Sequence, residues 1–178
     1  ALLLSMSFLL APLKPLKAES SLHFTKSRDS LLLKISHLNS GRLVTVGERG
    51  HILFSDDQGA TWKQANVPVR STLTSVFFID DQTGWAVGHD TDILRTDDGG
   101  ENWLLQYTAP VPDDPNQPLD ERPLFDITFI NKDIGYTVGA YGIFLSTTNG
   151  GSDWNEQYLE SLDDPEFGLP HIYQIKKL

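Results

Sequence analysis

Cysteine is absent from the 178 residues. That removes disulfides, zinc–thiolate sites and thiol nucleophiles from the chemistry available to the chain. The absence is compatible with an oxidising compartment without fixing one. Cations are also scarce: 14 Lys and Arg stand against 24 Asp and Glu, a formal charge of −10. Such a balance argues against a nucleic-acid partner, whose phosphates demand a basic face. No apolar run reaches the roughly 20 residues that a spanning helix needs. The longest, residues 1–13, has the length of the apolar core of an export signal. Ala18 supplies a small residue for cleavage, with Leu16 an imperfect match two positions before it. Residues 1–18 therefore read as a signal peptide whose own start lies upstream, and 19–30 as a polar linker.

Ligand patterns are missing too. His23, His37, His51, His89 and His171 show no metal-ligand spacing. His89-Asp90-Thr91-Asp92 reads as a solvated turn. No Ser-His-Asp set and no phosphate-cradling glycine loop is evident, so the expectation is no catalytic residue, no metal and no cofactor.

What is present is a repeat. Ser55-Asp56-Asp57-Gln58-Gly59-Ala60-Thr61-Trp62 returns as Thr96-Asp97-Asp98-Gly99-Gly100-Glu101-Asn102-Trp103, and again as Thr147-Thr148-Asn149-Gly150-Gly151-Ser152-Asp153-Trp154. Each octet has the chemistry of a tight turn. Asp57, Asp98 and Asn149 can accept backbone N–H groups two residues on. Gly59, Gly100 and Gly151 can supply a positive φ. Ser55, Thr96 and Thr147 can bond back across the turn. Trp62, Trp103 and Trp154 then open a strand and bury an indole. Each octet follows a Val-Gly pair, and 15 residues separate Gly47 from Trp62, Gly88 from Trp103 and Gly139 from Trp154. The tryptophans recur at 41 and 51 residues, in the range of propeller blades.

The octets resemble Asp-boxes, or BNR repeats. With the frame Arg42-Leu43-Val44-Thr45-Val46-Gly47-Glu48-Arg49-Gly50, Gly84-Trp85-Ala86-Val87-Gly88 and Gly135-Tyr136-Thr137-Val138-Gly139, the chain is similar to the photosystem II stability/assembly-factor family of β-propellers. The resemblance covers about 30–178. It implies an all-β fold of four-stranded antiparallel blades, seven in the complete ring, and a role in assembly rather than catalysis. A newly made reaction-centre subunit is the implied protein partner, met on the exported side, in a periplasm or thylakoid lumen. Sialidases share the Asp-box, which makes a glycoside hydrolase the alternative. Their arginine-bearing motif before the first box is missing here, and their catalytic carboxylates would have to lie beyond this sequence.

Short strands with Gly- and Asp-rich turns give blades at about 31–66, 73–108 and 123–159. Residues 172–178 read as the opening strand of a fourth, so that 31–178 is a partial propeller and the chain the N-terminal portion of a longer protein. Within each blade the octet joins strands 3 and 4. The long proline-rich connections 109–122 and 160–170 join blades, and so share the opposite rim with the 2–3 turns. That rim is the candidate partner surface, carrying Glu48, His89, Asp113, Asp114, Asp120, Glu121, Asp163, Asp164 and Glu166.

Overall fold

The computed structural model describes residues 27–114, 116, 117, 120 and 122–176. The signal-peptide reading of 1–18 and the site candidate Glu121 lie outside them. Among the described residues, twelve strands form three antiparallel sheets of four, each ordered as the chain runs. The first holds β1 (Leu32–His37), β2 (Leu43–Gly47), β3 (Ile52–Ser55) and β4 (Lys63–Gln64). The second holds β5 (Leu73–Phe78), β6 (Gly84–Gly88), β7 (Ile93–Thr96) and β8 (Leu104–Tyr107). The third holds β9 (Leu124–Phe129), β10 (Gly135–Gly139), β11 (Phe144–Thr147) and β12 (Asn155–Glu156). These are the three expected blades, and the fold is an all-β arc of propeller blades. The outer strands are shorter than the sequence suggests. Each outer strand is paired on one side only, and the indole that precedes it lies outside the ladder.

Register makes the blades superimposable in sequence. Leu32, Leu73 and Leu124 pair with Gly47, Gly88 and Gly139. A bulge accompanies each pair, where a Cβ on the glycine would fall 2.0–2.1 Å from the carbonyl oxygen of Leu31, Thr72 or Pro123. Those close approaches explain why the Val-Gly signal is fixed.

The cores lie between blades. Val44, Val46, Ile52 and Phe54 of the first pack with Val76, Ala86, Leu94 and Trp103 of the second. Trp85, Val87 and Ile93 of the second pack with Ile127, Leu145, Phe129 and Trp154 of the third, and Trp85 stacks on Phe129. Trp103 and Trp154 each meet a phenylalanine edge-on, Phe78 and Phe129. Trp103 is 3% exposed and Trp154 8%.

Trp62 departs from the expected equivalence. It is only half-buried and borders an open, apolar depression with Leu32, Leu33, Ile35 and Thr45. Ile35 is 55% exposed, although its counterparts Val76 and Ile127 are buried. The reason is positional: among the described residues no sheet covers this face of the first blade.

Two further expectations change. Ser27–Asp29 forms one 3-10 turn, and the Ser30 hydroxyl sits 3.0 Å from His51 Nδ1, so the end of the linker stretch belongs to the first blade. The expected strand at 172–178 has no ladder over its described part. It lies where a fourth opening strand would lie, with the Ile172 N–H donating to the Gly139 carbonyl at 2.9 Å and the Ile175 N–H to Asp126 at 3.2 Å. A ladder needs a second strand alongside, and none is described there.

The octets fold as hydroxyl-centred loops. Ser55 Oγ donates to Asp57 at 2.8 Å and accepts the Gly59 N–H at 2.8 Å. Thr96 and Thr147 do the same with Asp98 and Gly100, and with Asn149 and Gly151. The third-position side chain accepts the N–H four residues on, from Thr61, Asn102 and Asp153, not two residues on as expected. Two consecutive residues take positive φ: Gln58 with Gly59, Gly99 with Gly100, and Gly150 with Gly151. In the first two boxes Asp57 and Asp98 also accept from the side chains of Thr61 and Asn102. The third inverts this, with the Asn149 amide donating to Asp153 at 2.8 Å.

The burial difference predicts unequal tryptophans. Trp103→Ala should cost about 3–5 kcal/mol and Trp62→Ala roughly 1–2 kcal/mol, read by chemical denaturation. Equal losses would show that the first blade's face is covered in solution. The inverted box predicts a compensating pair. Asn149→Asp sets two carboxylates face to face and should cost about 1–2 kcal/mol at pH 7, recovered on acidification. Adding Asp153→Asn recreates the second box and should restore stability to within about 0.5 kcal/mol.

Candidate functional site

The rim opposite the Asp-boxes is built from three 2–3 hairpins and two insertions. Each hairpin turns through two residues of positive φ: Arg49 and Gly50, Asp90 and Thr91, Tyr141 and Gly142. The N–H after each pair closes the turn onto Glu48, His89 or Ala140 at 3.0–3.2 Å. This is the type I′ geometry that matches strand twist, and it favours Asn, Asp or Gly. Asp90 meets that preference, whereas Arg49 and Tyr141 do not, and all three stand at exposed tips. Residues 140–142, absent from the sequence-based rim, were legible as the segment following the third Val-Gly pair.

The connections dock against these turns. Gly50 N–H donates to the Ser71 carbonyl at 2.9 Å and Gly142 N–H to the Pro170 carbonyl at 2.8 Å. Thr108 Oγ1 donates to the Asp90 carbonyl at 3.3 Å. Thr91 Oγ1 lies 3.3 Å from the Asp120 carbonyl and 3.1 Å from that of Arg122. Both insertions thus meet the 2–3 turns.

The acidic residues on this rim are not equivalent. Asp120 is bound by Arg122, which also grips Glu156 at 2.8 and 3.0 Å. The Arg122 hydrogen bonds hold the Asp120 carboxyl below the usual range, and the two carboxylates push the guanidinium up. Asp114 caps a turn through Asn116 N–H at 2.9 Å. Asp164 caps another through the N–H groups of Glu166 and Phe167, at 2.8 and 3.0 Å. Asp163 accepts the Tyr158 hydroxyl, and the carboxylate pushes that phenol up. Glu48 accepts the Leu31 N–H at 3.2 Å. That leaves Asp113, Glu160 and Glu166 as exposed acids of the insertions with no side-chain bond among the described residues, and His89 exposed at its turn.

Beneath the second turn lies a buried carboxyl that sequence reading missed. Asp92 is 5% exposed and accepts the Ser71 hydroxyl at 2.5 Å. Burial raises its pKa. The corresponding residue of the first blade is His51, whose ring stays neutral more readily because burial lowers its pKa. No group of His, Asp or Glu able to hold a metal occurs among the described residues.

The opposite rim has its own cluster. Arg42 reaches across from the first blade to Glu101 at 3.0 Å and to the Gly99 carbonyl at 3.1 Å, while holding Asp56 at 2.6 Å. Arg95 makes the matching contact from the second blade to the Gly150 carbonyl at 3.0 Å. A polar cleft of about 370 Å³ opens beside Arg42, lined by Ser40, Asp81, Gln82 and Asp98 among others.

Residues 54–120 match the family model described as photosynthesis system II assembly factor YCF48. Over that stretch the chain is similar to photosystem II assembly factors. It is 38% identical over 92 residues to the photosystem II stability/assembly factor HCF136, chloroplastic, of Cyanidioschyzon merolae, covering 48% of this chain and 20% of that one. It is 29% identical over 100 residues to the photosystem II assembly lipoprotein Ycf48 of a Synechococcus strain, covering 56% and 28%. The solved YCF48 from Cyanidioschyzon merolae aligns at a TM-score of 0.55 and 26% identity, over 71% of this chain and 39% of that one. A structure of YCF48 bound to D1 peptide has the same fold, at a TM-score of 0.56 and 23% identity, over 71% and 40%. The chain therefore spans less than a third of the matched curated relatives. No helix among the described residues is long and apolar enough to cross a membrane.

Asp92 predicts a pH dependence of stability. Its folded pKa is raised, so the folded state holds the proton more tightly than the unfolded state. Stability should fall as pH rises from the usual carboxylate value through the raised one, with the penalty complete above it. Asp92→Asn keeps an acceptor for Ser71 and removes the charge. Denaturation midpoints should then show the variant at least as stable as the parent at pH 7, the two converging below about pH 4. A variant less stable at neutral pH would mean that the carboxylate is stabilising.

Proposed function

We propose that this chain is a non-catalytic, protein-binding scaffold that assists assembly of a membrane protein complex from the exported side, in a periplasm or lumen. It does so through the rim that carries the 2–3 turns and the insertions 109–122 and 160–170. The observation that supports this most directly is their convergence on that rim, docked onto type I′ turns whose tips are not glycine. Loops held on a rigid sheet scaffold are where binding residues concentrate, and positive φ away from glycine is retained where surroundings enforce it. The relatives named as assembly factors support the assembly role, and their names as lipoprotein and chloroplastic protein agree with a compartment reached by export.

The partner segment is basic. Net charge and the unengaged acids Asp113, Glu160 and Glu166 favour encounter with cations, a rate effect that salt screens. Asp114, Asp120 and Asp164 instead shape the loops that carry them.

D1 peptide, the ligand of the solved relative, is the probe. The triple variant Asp113→Asn, Glu160→Gln, Glu166→Gln should melt like the parent, associate several-fold more slowly at low salt and lose most of its salt dependence. Binding with unchanged rate and salt slope would place the partner on another surface.

A further inference from the structure

Three equivalent turn positions face the incoming chain of the following blade, and two are glycine. A Cβ on Gly50 would lie 2.2 Å from the Val69 carbonyl oxygen, and one on Gly142 would lie 2.6 Å from Leu169 Cβ. Their N–H groups bond the carbonyls of Ser71 and Pro170. The incoming chain thus lies hard against the turn, at a distance only glycine allows. In the second blade the position is Thr91. It is fully buried, at φ 57°. A β-branched residue there is a true outlier, because its Cγ and Oγ crowd the backbone on both sides.

The compensation is visible. At the chain position that corresponds to Ser71 and Pro170 stands Arg122, and its carbonyl is met by the Thr91 hydroxyl at 3.1 Å rather than by a glycine N–H. The same hydroxyl lies 3.3 Å from the Asp120 carbonyl. Room for the side chain requires the insertion to stand off the turn, and the hydroxyl ties it at that distance. From that tie the guanidinium of Arg122 runs to Asp120 and Glu156, fixing the end of the insertion to the outer strand of the third blade.

We propose that Thr91 is a positioning residue: it holds the end of the insertion, Asp120 and Arg122, away from the second blade's turn and anchors it there through its hydroxyl, trading backbone strain for a fixed attachment. The tie stands on the geometry alone. Its effect on partner association rests on the function proposed above.

Hydrogen exchange across 109–122, with melting temperature in parallel, tests the two parts separately on the 178-residue chain. Thr91→Gly removes hydroxyl and strain together. Exchange in 109–122 should accelerate about tenfold, the loss of one ordering hydrogen bond, while the melting temperature stays level or rises. Thr91→Ser keeps the hydroxyl and should restore slow exchange. Thr91→Val keeps the branched shape without the hydroxyl and should exchange like the glycine variant, with a lower melting temperature. Unchanged exchange in both Thr91→Gly and Thr91→Val would overturn the proposal, as would failure of serine to rescue. With D1 peptide as probe, Thr91→Gly should bind several-fold more weakly. Loss of loop protection with binding intact would leave the anchor standing and remove the rim from the partner site.

Discussion

A four-stranded sheet with apolar residues on both faces cannot bury either face by itself. Everything in this chain follows from that constraint. Val44 and Trp85 occupy the same register position in adjacent blades, and each faces the blade that follows. Val76 and Ile127 likewise face the blade before. Stability therefore resides in the seams between sheets. The second blade, buried on both sides, is the best-packed element, and the first keeps Leu33 and Ile35 exposed and Trp62 half-buried.

The Asp-boxes serve those seams. Inside each box the polar groups close upon themselves, which frees the carbonyl of the fourth residue to point outward. Gly99 and Gly150 present that carbonyl to an arginine of the preceding blade, and Gly150 also receives Trp85 Nε1–H at 3.3 Å. The two arginines reach it from different places, Arg42 just before β2 and Arg95 within β7. Each guanidinium lies over a ring of its own blade, Phe54 or Trp85. The same contact has been built from unlike sequence positions because the carbonyl, not the donor, is the fixed part.

Much of this was legible beforehand. Glycines jammed against a neighbouring carbonyl, hydroxyls that fold a turn and tryptophans at constant spacing are local necessities, so they leave a periodic trace. The half-buried state of Trp62 was not legible from its octet, although β1 held a hint: His37 stands where Phe78 and Phe129 meet the other two tryptophans. Nor could spacing separate Asp113 from Asp120. One acid is spare and the other clamped, and the difference lies in where Arg122 points after the chain has turned. Thr91 was read as part of an ordinary solvated turn because its buried hydroxyl and its neighbours are 29 and 31 residues apart.

The third box carries a chemical clock. Asn149 is followed by Gly150, and an asparagine before an unhindered glycine cyclises when the glycine nitrogen attacks its side-chain carbonyl, shedding ammonia to give a succinimide that water then opens to Asp or isoaspartate. In the folded blade that nitrogen donates to the Asp133 carbonyl at 2.9 Å, and the Asn149 oxygen is held by Thr147 and by the Asp153 N–H. Attacker and target are both engaged. Unfolding releases both, so damage at this bond accumulates only in time spent unfolded. A chain that has reacted cannot refold the box as before, because a carboxylate then faces Asp153. The total time spent unfolded is thus written as a covalent record in the seam between the second and third blades.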